Sequence, residues 1–184
     1  MMWTPRIQWA NPGELPNNRN AEHNLFTGIK IRRGLPFAAA VLAQEIAEYE
    51  RAIERAGTGA VIGAASGCGL AVLASLSSLL WMVMVAGLGL AGFLIAYALV
   101  MHGRENDAYG ACVEWRAAVL FLKASPADYL QQEIKGLGMK PAFAGISAVG
   151  REMAIVSHFD DATAWLRDNW PRVSTLARTE HEQE

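Results

Sequence analysis

The residues best placed to do chemistry lie on one short polar stretch. VLAQEIAEYERA, Val41 to Ala52, carries Gln44, Glu45 and Glu48. On a helix, Gln44 and Glu48 share a face, and Glu45 sits about 100° round from Gln44. Two donors one turn apart can grip a metal ion, and an acid beside the first can serve as general base toward a metal-bound water. The donor types are unusual for zinc. Imidazole is preferred at such positions, a carboxamide oxygen at Gln44 is a poor ligand, and a carboxylate at Glu48 is an acceptable one. The same letters also read as an ordinary amphipathic helix with a solvated acidic face, Glu45, Glu48, Glu50 and Glu54, beside Arg51 and Arg55.

The elements that must position these residues are dominated by a charge-free run. The chain has 184 residues, of which 52% are hydrophobic and 18% charged, whereas an average globular chain is nearer a quarter charged. The 48 residues from Ala56 to Gly103 contain no Lys, Arg, Asp or Glu. One membrane helix needs roughly 20 apolar residues, so the run is long enough for two. The spacing predicts spans near Gly59–Leu76 and Trp81–Met101, with a turn around Ser75, Ser77 and Ser78. Gly59, Gly63 and Gly67 form a ridge at four-residue spacing, and Gly87, Gly89 and Gly92 follow on the second span. Either a tight hairpin or the general glycine content of membrane helices accounts for them, and a homo-oligomer through these faces is a further use.

Four segments follow. Residues 1–27 read as a polar N-terminal arm, either loop or extended. Residues 28–57 combine the alternating strand GIKIRRG with a helix opened by Pro36 and ended at Gly57. Residues 58–101 form the hairpin. Residues 102–184 carry a helix from Arg104 to Lys123, a short helix Ala127–Lys135, a loop over GLGMKPAFAGISAVG, and a last helix that starts near Asp160 and is stopped or kinked by Pro171. The fold class expected is mainly α: a membrane-anchored helical domain with one transmembrane hairpin and a short edge strand. The first residues do not read as a signal peptide, which leaves targeting to the internal run. Basic residues flank the run on both sides, Lys30, Arg32, Arg33, Arg51 and Arg55 before it and Arg104, Arg116 and Lys123 after it, with none in the turn. The positive-inside rule then places both ends in the cytoplasm, on an inner or cytoplasmic membrane.

RENDAY, opening at Arg104 after the hairpin, completes a resemblance. The order QEIAE, hairpin, RENDAY resembles membrane metallopeptidases of the HtpX type in the gluzincin clan, in which a helix bearing H-E-x-x-H is followed by a membrane hairpin and a helix start that supplies the third ligand. The resemblance spans roughly Gly28 to Val119. It implies that Glu45 matches the general base, that Gln44, Glu48 and Glu105 hold the ligand positions, and that GIKIRRG is the edge strand beside the site. Gln44 and Glu48 depart from the two histidines, and Tyr109 stands where an Asp usually supports the site, so the ordinary zinc site is lost. A similar Q-E-x-x-E pattern in phage and prophage membrane proteins implies such a setting.

Three functions compete on these terms. The first is a non-catalytic, metallopeptidase-like membrane protein that binds a peptide or protein partner. The second is a structural or holin-like hairpin protein. The third is a hydrolase whose metal is held by Glu45, Glu48 and Glu105; this oxygen set suits Mg²⁺, Mn²⁺ or Ca²⁺ better than Zn²⁺. A divalent metal is the one cofactor the residues could support. His102 lies one turn before Glu105 and could join such a set, His158 precedes the last helix, and His23 and His181 fall in loop and tail. The net charge of −2 gives no case for nucleic acid. No nucleophile elbow or phosphate loop is present, and Cys68 and Cys112 form neither a disulfide framework nor a metal-type pair.

Overall fold

The structure, a computed structural model, describes residues 5–11, 13–15, 20–24, 27–35, 37–73, 77–101, 103–123 and 148–178. Pro36, Ser75, His102, His181, the expected helix Ala127–Lys135 and most of the loop after it lie outside these residues. The described chain forms strands β1 (Ile7–Ala10), β2 (Ala21–Asn24) and β3 (Gly28–Arg32), and helices α1 (Ala38–Leu73), α2 (Ser78–Met101), α3 (Arg104–Leu120) and α4 (Ala148–Arg178). It divides into two compact units, one of Met1–Tyr49 with Asp107–Glu184 and one of Glu50–Asn106.

The first unit is built on a three-stranded sheet of order β1-β3-β2. The N-terminal arm is therefore not simply loop, since it supplies two of the strands. GIKIRRG, expected at an edge, is the central strand: β3 pairs parallel with β1 and antiparallel with β2. Its alternation suits that place. Ile29 and Ile31 are fully buried, and the register sets Ile7, Trp9, Ala21 and His23 beside them on one face. Glu22 lies opposite Lys30 on the other face, a favourable cross-strand charge pair. Gly28 has φ of +83°, and a Cβ there would run into the Arg6 backbone, whose carbonyl accepts the Ile29 N–H at 2.8 Å. Glycine is what lets β1 and β3 come together at this point.

The core of this unit joins the sheet to the apolar stripes of three helices. Leu42, Ile46, Cys112, Val113, Leu166 and Val173 are all fully buried in it. Phe121 stacks on Trp170 with ring centroids 4.5 Å apart, and the Arg116 guanidinium lies 3.8 Å over the Phe159 ring while its Nε donates to the Thr163 hydroxyl at 3.0 Å. These contacts fasten α3 to α4. The last helix does not begin at Asp160 but is already formed at Ala148, and it runs through Pro171 to Arg178. Pro171 removes one backbone donor. The helix continues past it, with the Ser174 and Thr175 hydroxyls donating to the Pro171 carbonyl at 3.0 and 2.8 Å.

In the second unit, the helix expected to end at Gly57 does not end. α1 is continuous over 36 residues. The Thr58 and Ser66 hydroxyls bond back to the carbonyls of Glu54 and Ile62, which satisfies polar groups that would otherwise favour a break. α1 and α2 are each long and apolar enough to cross a membrane. The glycine ridge is used inside the hairpin. Cβ atoms on Gly59 and Gly63 would strike the backbone carbonyls of Gly92 and Leu88, and one on Gly67 would meet the Val85 Cα at 2.9 Å. The outward side chains are aliphatic, with Val61, Leu73, Leu79 and Leu99 each about two-thirds exposed or more.

A candidate histidine–carboxylate site

The acidic stretch of α1 is solvated only in part, with Glu54 exposed and Glu50 half-buried. Glu45 and Glu48 are only 8% and 7% exposed. Both lie on the side of α1 that packs in the first unit, and the sheet brings His23 to them. His23 sits in β2 directly across from Ile29, so it projects from the core-facing side of the sheet. Its Nδ1 is in hydrogen-bond contact with a Glu45 carboxylate oxygen. The His23 ring also meets Tyr49 edge-on, with centroids 6.2 Å apart; Tyr49 follows Glu45 by one turn on α1.

Glu48 is held from two directions. The Gln44 side-chain amide donates to its Oε1 at 2.8 Å, and this is where the structure places the residue expected at the first ligand position. From the other side, α3 approaches so closely that a Cβ on Gly110 would overlap the Glu48 carboxylate. Burial pushes the Glu48 carboxyl well above the usual carboxylate range, and the negative charges of Glu45, Asp107 and Glu114 add to the rise against the Gln44 hydrogen bond. Asp107, Gly110 and Glu114 are spaced to share one face of α3. One potential ligand atom each from His23, Glu45 and Glu48 falls within 4.8 Å of the others.

Glu105, expected as the third ligand, is not in this group. It belongs to the second unit, where it accepts from Arg51 at 2.9 Å and from Arg55 at 2.9 Å. Its side chain is 57% exposed. The structure thus brings together Gln44, Glu45 and Glu48 and replaces Glu105 with His23. The signal for His23 was weak, because the sequence AEHN offers no apolar alternation of its own and only its pairing with β3 shows which way His23 faces. His158 does not precede the last helix. It lies within α4, with its ring edge-on to Tyr109 at 5.7 Å. Cys112 is unsuited to nucleophilic work, since burial raises its thiol to about 11 despite Arg116.

Comparison with family models, curated proteins and solved structures finds no match to this chain.

Proposed function

We propose that this chain is an integral membrane protein. Its α1–α2 hairpin spans the bilayer twice with both ends in the cytoplasm, and its other unit is a non-catalytic module that binds a peptide or protein partner. The observation that carries the reading is the hairpin itself: two helices of spanning length, free of charge from Ala56 to Gly103, with aliphatic side chains turned outward and glycines turned inward. A surface of this kind suits lipid, and exposed in water it would be a very large apolar patch. The basic residues on both flanks support the orientation.

The order of α1, α2 and α3 along the chain is what supports a likeness to a gluzincin arrangement. The absence of catalysis is supported by the chemistry of its positions. Gln44 donates its amide to Glu48, and Glu105 is held by two arginines. For binding, the relevant feature is the sheet. β1 and β2 are its outer strands, and an outer strand is where an extended peptide can add. The holin-like alternative draws less support, because Gly59, Gly63 and Gly67 already face the partner helix within the hairpin.

Alkaline extraction of membranes from expressing cells tests the anchoring. The protein should stay in the membrane pellet, and its release into the supernatant would overturn the reading.

A further inference from the structure

We propose that His23, Glu45 and Glu48 form a binding site for one divalent transition-metal ion of the Zn²⁺ or Mn²⁺ class. This goes beyond the membrane reading and does not depend on it. It is also a different site from the one expected on Gln44, Glu48 and Glu105. Here Glu45 is a ligand, and the third donor comes from a strand.

The donors fit such an ion in type and spacing. The set has one imidazole nitrogen and two carboxylates, all within 4.8 Å of one another. Donors on opposite sides of an ion bonded at about 2.1 Å lie roughly 4.2 Å apart, so small side-chain rotations close the set. A ring nitrogen among carboxylates favours Zn²⁺ or Mn²⁺ over the harder Mg²⁺ and Ca²⁺.

The surroundings favour a cation. The charged groups acting on Glu48 are the carboxylates of Glu45 on α1 and of Asp107 and Glu114 on α3. Buried like charges of this kind are costly unless something positive compensates them. The site is also built to hold its ligands in place. Gln44 fixes one Glu48 oxygen, Tyr49 braces the His23 ring, and the missing Cβ at Gly110 leaves the space the Glu48 carboxylate occupies. On binding, the ion takes the place of the hydrogen bond between His23 and Glu45: His23 binds through an unprotonated ring nitrogen, Glu45 and Glu48 bind as carboxylates, and any protons these three groups carried are released to solvent. The result is a clasp between β2 and α1.

The test uses the full chain in detergent, stripped with a chelator and then dialysed against Zn²⁺ or Mn²⁺, with metal read by elemental analysis. Wild type should retain about one equivalent. His23→Gln and Glu48→Gln should bind at least about tenfold more weakly, and Glu105→Gln should match wild type. Circular dichroism checks that each variant is folded. A measurement on wild type alone stands beside these: its Tm should rise with added Zn²⁺ or Mn²⁺ relative to chelator. The proposal is overturned if wild type retains no more metal than Glu48→Gln, or if its Tm is indifferent to both ions. Undiminished binding in His23→Gln, or uptake of Mg²⁺ or Ca²⁺ alone, would also overturn it, since His23 would then be no ligand. None of these outcomes bears on membrane extraction, so the two readings fail separately.

Discussion

Glycine does opposite work in the two units. In the hairpin, Gly59, Gly63 and Gly67 let backbone meet backbone, and the side chains left outside are Val61, Leu73, Leu79 and Leu99. In the sheet-bearing unit, Gly110 makes room for a carboxylate, and the interior holds Glu45, Glu48 and Glu114. One unit turns its apolar groups outward and closes on small residues. The other covers its sheet with apolar helix faces and keeps ionisable groups inside. An ordinary core explains neither arrangement. The first suits a nonpolar solvent, and the second is costly unless protonation or a positive charge relieves it.

The comparison can be broken most severely in the hairpin. Gly63→Leu places a side chain against the Leu88 carbonyl and should cost about 3 kcal/mol, read as loss of the folded hairpin in detergent unfolding. Gly69→Leu, where a Cβ meets nothing within 4 Å, should be nearly silent. Equal effects at the two positions would mean that the ridge is not the packing surface.

A smaller loss, about 1–2 kcal/mol, is expected of Gly110→Ala, whose methyl would overlap Glu48. In a Glu48→Ala background the same change should become neutral or stabilising, because alanine is the better helix former. Thermal unfolding of the four proteins in chelator measures this coupling.

Glu48 itself gives a pH signature in metal-free protein. Its folded pKa is raised well above the ordinary value, so it binds a proton more readily folded than unfolded. The stability linked to it is complete below about pH 4.3, the unfolded value, and is lost as pH rises through the folded value. Glu48→Gln should remove this part of the decline, read as a flatter dependence of the unfolding midpoint on pH. A slope identical to wild type would show that Glu48 is not the group responsible.

The smallest effect belongs to Glu105. Its carboxylate is more than half exposed, and Glu105→Gln should cost no more than about 1 kcal/mol in the same unfolding measurement.

The hairpin was legible in the sequence because the absence of charge over a long run is a local property that needs no knowledge of partners. The same is true of the helical character of the segment holding Glu45. Gly57 resembles a C-cap, but the apolar residues after it continue the helix, and α2 packs on Gly59, Gly63 and Gly67 just beyond it. The site was half legible. Gln44, Glu45 and Glu48 are grouped by helix geometry alone, but His23 lies 22 residues before Glu45, and only the β2–β3 register turns it inward. Glu105 was misplaced for a related reason. An acid at a helix start looks like a ligand, and the four-residue spacing of Arg51 and Arg55, which puts two cations on one face to receive it, reads equally well as solvated surface.

Labelling with a membrane-impermeant maleimide on intact expressing cells tests whether the chain crosses the membrane twice. With Cys68 and Cys112 replaced by alanine, single cysteines go at Ser77, between the two helices, and at Thr175, on the exposed side of α4. With a spanning hairpin, Ser77→Cys labels in intact cells and Thr175→Cys labels only after permeabilisation. If both positions label alike, or if Thr175→Cys alone labels from outside, the hairpin does not span the membrane in the way described.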